Sequence, residues 1–295
     1  ALNFKPGSDF AYPYYRDQAF CLGWGMDSRD HLLSFLAKEN DPNSGGRQMP
    51  QHYGHRELNI VSQSSSTGTQ LLQAVGAGFA LKRNGKRAIV YVSMGEGTTS
   101  QGDFHEALNW ASRDKVPVIF HVENNHFAIS VPIEDQTAGA SVYKISAGYE
   151  NLARFNVNGT DFFETHLAFK KSVERARKGK GPSLVVSDVV RLLPHSSSDD
   201  QRKYRSDEDL DKDKIRDPLL VFVKTCIHEK ICTQKDIDKI LVAVKTQVDL
   251  DAEWAESQSD PKPADAFKNV VMDINQHEIP LPNPILGDKV VLVDA

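Results

Sequence analysis

The sequence predicts an α/β fold in which a parallel β-sheet carries helices on both faces. The chain has 295 residues, 40% of them hydrophobic, which is enough to bury a full core. Apolar runs of strand length alternate with segments of helical periodicity, as in α/β proteins. A glycine-rich turn, Gly95–Gly102, joins the clearest strand to the helix after it.

The first part of the chain is predicted to be an irregular segment that contains few regular elements. Residues 1–55 are rich in glycine, proline and aromatic residues, with one helical pattern at Arg29–Lys38. Helical spacing of apolar residues returns from Thr67 to Lys82, and Gly85 provides a stop.

The middle of the chain contains the βαβ pattern. Apolar runs predict buried strands at Arg87–Met94 and Val116–Val122, with helix Ser100–Ser112 between them. Helix Phe162–Lys178 and strand Ser183–Val190 extend the alternation. Such alternation predicts parallel strands joined by right-handed crossovers.

The last part of the chain changes character after residue 190. Residues 191–217 are polar and lack apolar periodicity, which predicts a functional or mobile loop. Two helices are expected next, at Pro218–Lys230 and Thr233–Ser257, and Pro261 ends the second. We therefore divide the chain into three parts. Residues 1–217 form a binding domain with its active-site loop, and residues 218–260 form a pair of C-terminal helices. Residues 261–295 form an extended tail that contains a strand-like run at Lys289–Val293.

Composition excludes several classes of function. A net charge of −5 and a pI of about 6.1 give no basic surface for nucleic acid, and the apolar runs are too short to span a membrane. Cys21, Cys226 and Cys232 form neither a CxxC pair nor a zinc pattern, which suits a reducing compartment. Because the sequence opens at Ala1 without a signal peptide, we expect a processed or partial polypeptide that is not secreted.

Two polar residues follow neighbouring predicted strands. Glu96 and Asn125 would lie at the carboxyl edge of the sheet, where ligands bind, and the backbone of Gly95–Thr98 would cradle a diphosphate. A carboxylate inside that cradle would repel phosphate unless a cation lay between them. Carboxylate, amide and carbonyl oxygens suit Mg²⁺, so the charge conflict predicts the metal.

Other readings of this turn stay open on the residues alone. A nicotinamide dinucleotide site would need a third glycine where Ser100 stands. A glycine-rich turn with a solvated Glu96 and no ligand is the simplest alternative.

Five sequence blocks carry a family resemblance. Gly95-Glu96-Gly97 followed by Asn124-Asn125 resembles the thiamin-diphosphate motif. With the five blocks at residues 45–50, 52–54, 95–103, 123–130 and 195–200, the chain resembles the α subunit of 2-oxo acid dehydrogenases, the decarboxylating first components of the branched-chain and pyruvate complexes. The match runs from about Tyr14 to Val270 and implies a thiamin-diphosphate-binding fold.

The resemblance implies a set of ligands. Mg²⁺ would be bound by the side chains of Glu96 and Asn125 and the carbonyl of Phe127. A K⁺ ion is possible near Ser64, Thr69 and Gln70. The cofactor would be bound by Tyr15, Arg16, Ser65, Thr67, Gly95, Glu96, Gly97, Thr98, Asn125 and His195.

Two positions depart from the family pattern. Thr67 stands where branched-chain relatives have a bulky apolar residue. Glu123 stands where some relatives have a phosphate-binding arginine, so it receives no cofactor role.

The polar loop carries the remaining candidates. His195 matches the active-site-loop histidine that helps to pass the acyl group to a lipoyl arm, and a side chain that titrates near neutrality suits that work. Ser196 and Ser206 align with serines that mitochondrial relatives phosphorylate. A phosphate beside His195 would oppose ordering of the loop around an anionic cofactor.

The resemblance also implies the reaction and its partners. A 2-oxo acid of the 2-oxoisovalerate type would be decarboxylated, and its acyl group passed to the lipoyl-bearing acyltransferase of the complex. A β subunit, or a β-type domain fused beyond Leu286, would complete the site in an α2β2-like assembly. The location would be the bacterial cytoplasm, or the mitochondrial matrix in a eukaryote. The alternatives are a pyruvate or acetoin enzyme and a non-catalytic subunit of the same fold.

Overall fold

A five-stranded parallel β-sheet forms the centre of the computed structural model, which describes residues 1–268. The strand order is β1-β2-β3-β7-β6, and a short antiparallel pair, β4-β5, lies apart from this sheet. The strands are β1 (Phe10–Tyr12), β2 (Val90–Gly95), β3 (Val118–Asn124), β4 (Phe127–Ala128), β5 (Val131–Pro132), β6 (Ala153–Asn158) and β7 (Ser183–Asp188).

Ten α-helices connect and follow these strands in the described part of the chain. They are α1 (Gln18–Trp24), α2 (Ser28–Phe35), α3 (Thr69–Arg83), α4 (Gly102–Arg113), α5 (Ile133–Gln136), α6 (Val142–Ile145), α7 (Phe162–Arg177), α8 (Asp207–Ile215), α9 (Pro218–His228) and α10 (Gln234–Glu256). Among residues 1–268, none of them combines the length and hydropathy that crossing a membrane needs.

The sheet buries a separate apolar core on each face. Alternate side chains of β2 point in opposite directions, so that Val90 and Val92 join one core while Tyr91 joins the other. Helices α3 and α4 cover the first core, and α1 and α7 cover the second. The predicted α/β class, with helices on both faces of a parallel sheet, is confirmed.

Strand register determines which residues meet at the carboxyl edge. Gly95 pairs with Glu123, and Asn124 pairs with Asp188, so that β2, β3 and β7 end at nearly the same level. The residues that follow these strands are therefore neighbours. A 3-10 turn, Glu96–Ser100, then leads from β2 into α4.

The structure adds a helix inside the polar segment 191–217, where we expected only loop. Helix α8 is not stabilised by an apolar face, which is why periodicity did not reveal it. Ser206 Oγ accepts a hydrogen bond from the Asp209 amide as an N-cap, and Lys212 pairs with Glu208 one turn away. The predicted tail strand, Lys289–Val293, and the fusion point beyond Leu286 lie outside the described residues.

Candidate active site at the carboxyl edge of the sheet

A cavity of about 380 Å³ opens at the carboxyl ends of β2 and β3. Its walls come from the segment after β1, the turn after β2, the turn after β3 and the 191–217 loop. The structure thus brings together residues far apart in sequence. Of the residues predicted to bind cofactor or metal, the cavity is lined by Tyr15, Arg16, Thr67, Gly95, Glu96, Gly97, Thr98, Asn125, Phe127 and His195.

Glu96 is a buried carboxylate in the wall of this cavity. It is 1% exposed, and its Oε2 accepts a hydrogen bond from the Asn125 amide at 3.1 Å. Its Oε1 is buried and has no hydrogen-bond partner in the described part of the chain. Burial raises the pKa of the Glu96 carboxyl, and this effect outweighs the nearby backbone amides, His126 and Arg16, which lower it. A buried oxygen in this state is costly unless a cation or a proton reaches it.

Two glycines let the backbone pass close to this carboxylate. A Cβ at Gly97 would lie 2.9 Å from Ala128 Cβ, and one at Gly95 would lie 3.0 Å from the Tyr14 hydroxyl. A Cβ at Gly97 would therefore collide with the opposite wall, and one at Gly95 would require the Tyr14 side chain to move by a few tenths of an ångström. Packing thus favours glycine at both positions of the motif.

Arg16 connects two walls of the cavity. Its Nη1 donates to the hydroxyls of Tyr14 and Tyr15, the latter at 2.7 Å. Its Nη2 lies 3.1 Å from His195 Nδ1. Because a guanidinium only donates, Nδ1 is the accepting nitrogen and the imidazole is neutral with its proton on Nε2. Burial lowers the pKa of His195, and the charges of Arg16 and Arg191 add to that effect.

A hydrogen-bond chain holds the loop segment that carries His195. The His195 amide donates to Asp199 Oδ2 at 2.8 Å, and the Tyr204 hydroxyl donates to the same oxygen at 2.5 Å. Arg191 in turn donates to the Tyr204 hydroxyl at 2.7 Å and to the carbonyl of Ile129 at 2.8 Å. The loop is thereby tied to the turn after β3.

Some predicted residues lie outside the cavity. The Ser65 hydroxyl is 2.7 Å from His52 Nε2 and does not line the cavity wall. Of the three residues predicted near K⁺, Thr69 donates to the Ser66 carbonyl at 2.9 Å and Gln70 donates to the Ser93 carbonyl at 3.2 Å. The Ser64 hydroxyl accepts from the Ser66 amide at 3.1 Å.

The structure also places residues at the site that the sequence did not single out. Tyr14, Gln101, Ala128 and Ile129 all line the cavity. Tyr14 lies there because strand β1 pairs with β2. Strand β1 has three residues, too few to be recognised from an apolar pattern. The position of Tyr14 next to Tyr15 and Arg16 was the sequence signal that could have identified it as a site residue.

Glu123 does not line the cavity. Its pKa is held well above the ordinary value, first by burial and then by the charge of the nearby Asp17 carboxylate. Within residues 1–268, no group of three or more His, Cys, Asp or Glu side chains could hold a metal ion.

A second cavity, of about 410 Å³, is lined mainly by apolar and aromatic side chains. Its buried histidine has both ring nitrogens occupied: His121 Nδ1 lies 3.0 Å from the Tyr91 hydroxyl, and Nε2 lies 2.9 Å from Ser187 Oγ. Since the unpartnered carboxylate oxygen belongs to the smaller cavity, we assign the candidate chemistry there.

Comparison with known proteins gives one family and several relatives. The family model described as dehydrogenase E1 component matches residues 1–264. The 2-oxoisovalerate dehydrogenase subunit alpha of Bacillus subtilis is 42% identical over 245 residues, which are 82% of this chain and 74% of the relative. The pyruvate dehydrogenase E1 component subunit alpha of Bacillus subtilis is 30% identical over 263 residues, 88% of this chain and 67% of the relative. A solved structure, of an enzyme from Mycobacterium smegmatis described as thiamin diphosphate-dependent, superposes with a TM-score of 0.42 at 19% identity, over 64% of this chain and 30% of that one.

Proposed function

The chain belongs to the dehydrogenase E1 component family, and we propose that it is the alpha subunit, or alpha portion, of a branched-chain 2-oxo acid dehydrogenase. The reaction is oxidative decarboxylation of a 2-oxo acid of the 2-oxoisovalerate type, with transfer of the acyl group to lipoamide. The observation that carries this proposal is the buried, half-unpartnered carboxylate of Glu96 beside Asn125, at the ends of two adjacent parallel strands.

The residues present fit a magnesium ion. The unpartnered Oε1 of Glu96 is a buried ligand, and the Asn125 side-chain oxygen, which within residues 1–268 accepts one hydrogen bond, from the Phe127 amide at 3.2 Å, keeps a free lone pair. With the carbonyl of Phe127 they form a set of hard oxygen ligands. A cation there would remove the cost of an ionised Glu96 in a buried site and would lower its raised pKa.

The same edge fits the diphosphate of thiamin diphosphate. Gly95, Gly97 and Thr98 would offer backbone amides from the start of the 3-10 turn, and Arg16 would neutralise the remaining charge. Tyr15 holds Arg16 in place, and Thr67 closes the cavity on the side of α3. A monovalent cation near Ser64, Thr69 and Gln70, and a backbone contact from Ser65, complete the proposed binding set. When bound, thiamin diphosphate supplies the nucleophilic carbon and the electron sink for loss of CO2.

His195 is the proposed catalytic residue of this chain. Its imidazole is neutral, borders the cavity, and keeps an Nε2–H while Arg16 binds Nδ1. Such a group donates a hydrogen bond to a developing oxyanion or passes a proton during acyl transfer. The ties to Asp199 and Arg16 fix the ring at the mouth of the cavity.

Partners follow from the incomplete site. A β subunit, or a fused β-type domain, would close the cavity and supply the remaining cofactor contacts. The acyl group would leave on the lipoyl arm of the acyltransferase component. Ser196 and Ser206, if phosphorylated, would add charge beside His195 and at the N-cap of α8.

The identity of the 2-oxo acid substrate is inferred from the relatives. The greater identity to a 2-oxoisovalerate relative, 42% against 30% for a pyruvate relative, favours a branched-chain substrate. Pyruvate and acetoin enzymes remain the alternative, and a non-catalytic subunit would bind no cofactor.

The test is decarboxylation by the chain assembled with its β portion. Rates on 2-oxoisovalerate and pyruvate are compared at equal enzyme concentration, with Mg²⁺ and thiamin diphosphate present. A higher kcat/KM on 2-oxoisovalerate supports the proposal, and a preference for pyruvate overturns the substrate assignment. Absence of both activities, with no cofactor binding in calorimetry, would favour the non-catalytic subunit.

A further inference from the structure

Asp188, the last residue of β7, holds two different segments with its two carboxylate oxygens. Its Oδ1 is 2.6 Å from His126 Nε2, and its Oδ2 accepts from Arg216 Nη2 at 3.0 Å. His126 lies in the turn after β3, between Asn125 and Phe127. Arg216 caps the carboxyl end of α8, at the far end of the loop that carries His195.

The turn at His126 needs support. Its backbone has φ +68°, a left-handed conformation that non-glycine residues adopt at a cost. The Asn124 side chain accepts from the His126 amide at 3.1 Å, and the Ile133 amide donates to the His126 carbonyl at 2.9 Å. The contact with Asp188 holds the His126 side chain as well as its backbone. Asp188 therefore helps to fix the residue that joins Asn125 to Phe127.

The loop is closed at its base by the same carboxylate. The 191–217 segment starts shortly after Asp188, and Arg216 is its last residue but one, so the Asp188–Arg216 pair joins the two ends of the segment. Fixing the ends of a loop removes part of the conformational freedom that the loop would otherwise have to lose when His195 is positioned. The strand register also places Asp188 beside Asn124, directly between the two segments.

We propose that Asp188 is a positioning residue, which joins the base of the His195 loop to the turn that presents Asn125 and Phe127. One carboxylate would thereby align the proposed metal-binding end of the site with the loop that carries the proposed catalytic histidine. The effect on metal binding and catalysis rests on the proposed function, whereas the physical connection between the loop and the turn does not.

The opposing expectation is that these are ordinary surface ion pairs. The side chains are partly exposed, 41% for Asp188, 44% for His126 and 37% for Arg216, and isolated pairs of this kind often contribute nothing measurable. The proposal differs because it requires two separate regions to respond to one substitution. A surface pair would leave both regions unchanged.

Amide hydrogen exchange on the full chain with its β portion, without cofactor, tests the connection directly. In Asp188→Ala, exchange should accelerate by about tenfold in both the 124–133 and the 191–217 segments, because both are released. Arg216→Ala should accelerate only the loop, and His126→Gly, which keeps the left-handed backbone, only the turn. The matched control is Asp249→Ala, which breaks the exposed Lys245–Asp249 pair on α10.

A charge exchange and a functional readout complete the test. The double variant D188R/R216D should restore loop protection but not turn protection, because His126 loses its acceptor. His126→Gly should weaken Mg²⁺-dependent thiamin diphosphate binding while Arg216→Ala leaves it unchanged and lowers kcat. If Asp188→Ala matches the control in both segments, the proposal is wrong. If the parent chain binds no cofactor, the proposed function fails, but the exchange data still decide the connection.

Discussion

The Asn125 amide donates to Glu96 Oε2 at 3.1 Å, while the other oxygen of the Glu96 carboxylate stays buried without a partner among residues 1–268. This pair joins the ends of two parallel strands and leaves one carboxylate oxygen of a cavity-lining residue without a hydrogen bond. The arrangement is unfavourable for folding alone, because a buried polar atom without a partner costs about 1–3 kcal/mol. It is understandable as a site built to be completed by a cation.

A side chain at Gly97 should weaken cofactor binding for steric reasons. Gly97→Ala would place a Cβ 2.9 Å from Ala128 Cβ, so the turn that carries Glu96 must shift. We expect thiamin diphosphate affinity to fall by roughly tenfold or more, since over-packing costs about 1–3 kcal/mol. Calorimetric titration of the assembled enzyme measures the effect.

A control and a rescue make this prediction specific. Gly102→Ala adds the same methyl group where no non-neighbouring atom of residues 1–268 lies within 4 Å, and it should leave binding unchanged. Adding Ala128→Gly to the Gly97→Ala variant removes the colliding atom and should recover most of the affinity. Failure of that double variant to recover would contradict the steric account.

Substitution of His195 should affect acyl transfer much more than cofactor binding. His195→Asn should raise the dissociation constant of the cofactor by no more than about threefold, because Arg16 and the metal would neutralise the diphosphate while His195 would add a single hydrogen-bonding group. Transfer to a lipoyl domain should fall by about 100-fold, a typical loss for a proton-transfer group. The two are measured by calorimetry and by a lipoyl-acylation assay.

The exposed His105 offers a matched control on α4. His105→Asn should change neither quantity. Equal losses of affinity and transfer in His195→Asn would show that the histidine is only structural.

His121 predicts how stability depends on pH. Burial lowers its pKa from 6.5 to about 4, and its side chain is 12% exposed. The unfolded chain then binds more protons than the folded chain between these values, so the free energy of unfolding should fall as pH is lowered through that window. The total loss from this group is at most about 3 kcal/mol.

Chemical denaturation between pH 4 and 7 measures this effect. His121→Gln is neutral throughout, so its acid limb should be flatter than that of the parent chain. Parallel pH profiles for the two proteins would contradict the assignment.

Much of the fold could be predicted because long apolar runs mark central strands. Strands β2, β3 and β7 and helices α4 and α7 were found within a few residues of their observed bounds. Strands β1 and β6 were missed, since three residues are too few for a pattern and β6 is a partly exposed edge strand. Helix α8 was missed because capping and charge pairs stabilise it.

The candidate site divides in the same way. Glu96 and Asn125 could be placed together because parallel strands end at a common edge. The positions of Tyr14 and Asp188 depend on which strands pair, and the sequence alone does not state that β1 lies beside β2 or β7 beside β3. The contact between Arg16 and His195 depends on a loop conformation that no sequence period encodes.

Glu96 is proposed to bind the diphosphate through a metal ion. Calorimetric titration of thiamin diphosphate into the chain assembled with its β portion, once with Mg²⁺ and once with EDTA, measures this role directly. The parent should bind only with Mg²⁺, and Glu96→Gln should lose about 100-fold or more in affinity, since even residues that merely support metal ligands contribute 10–100-fold. The Glu106→Gln control, on the exposed face of α4, should bind like the parent. If Glu96→Gln binds as tightly as the parent in Mg²⁺, or the parent binds equally well in EDTA, Glu96 is not the metal ligand.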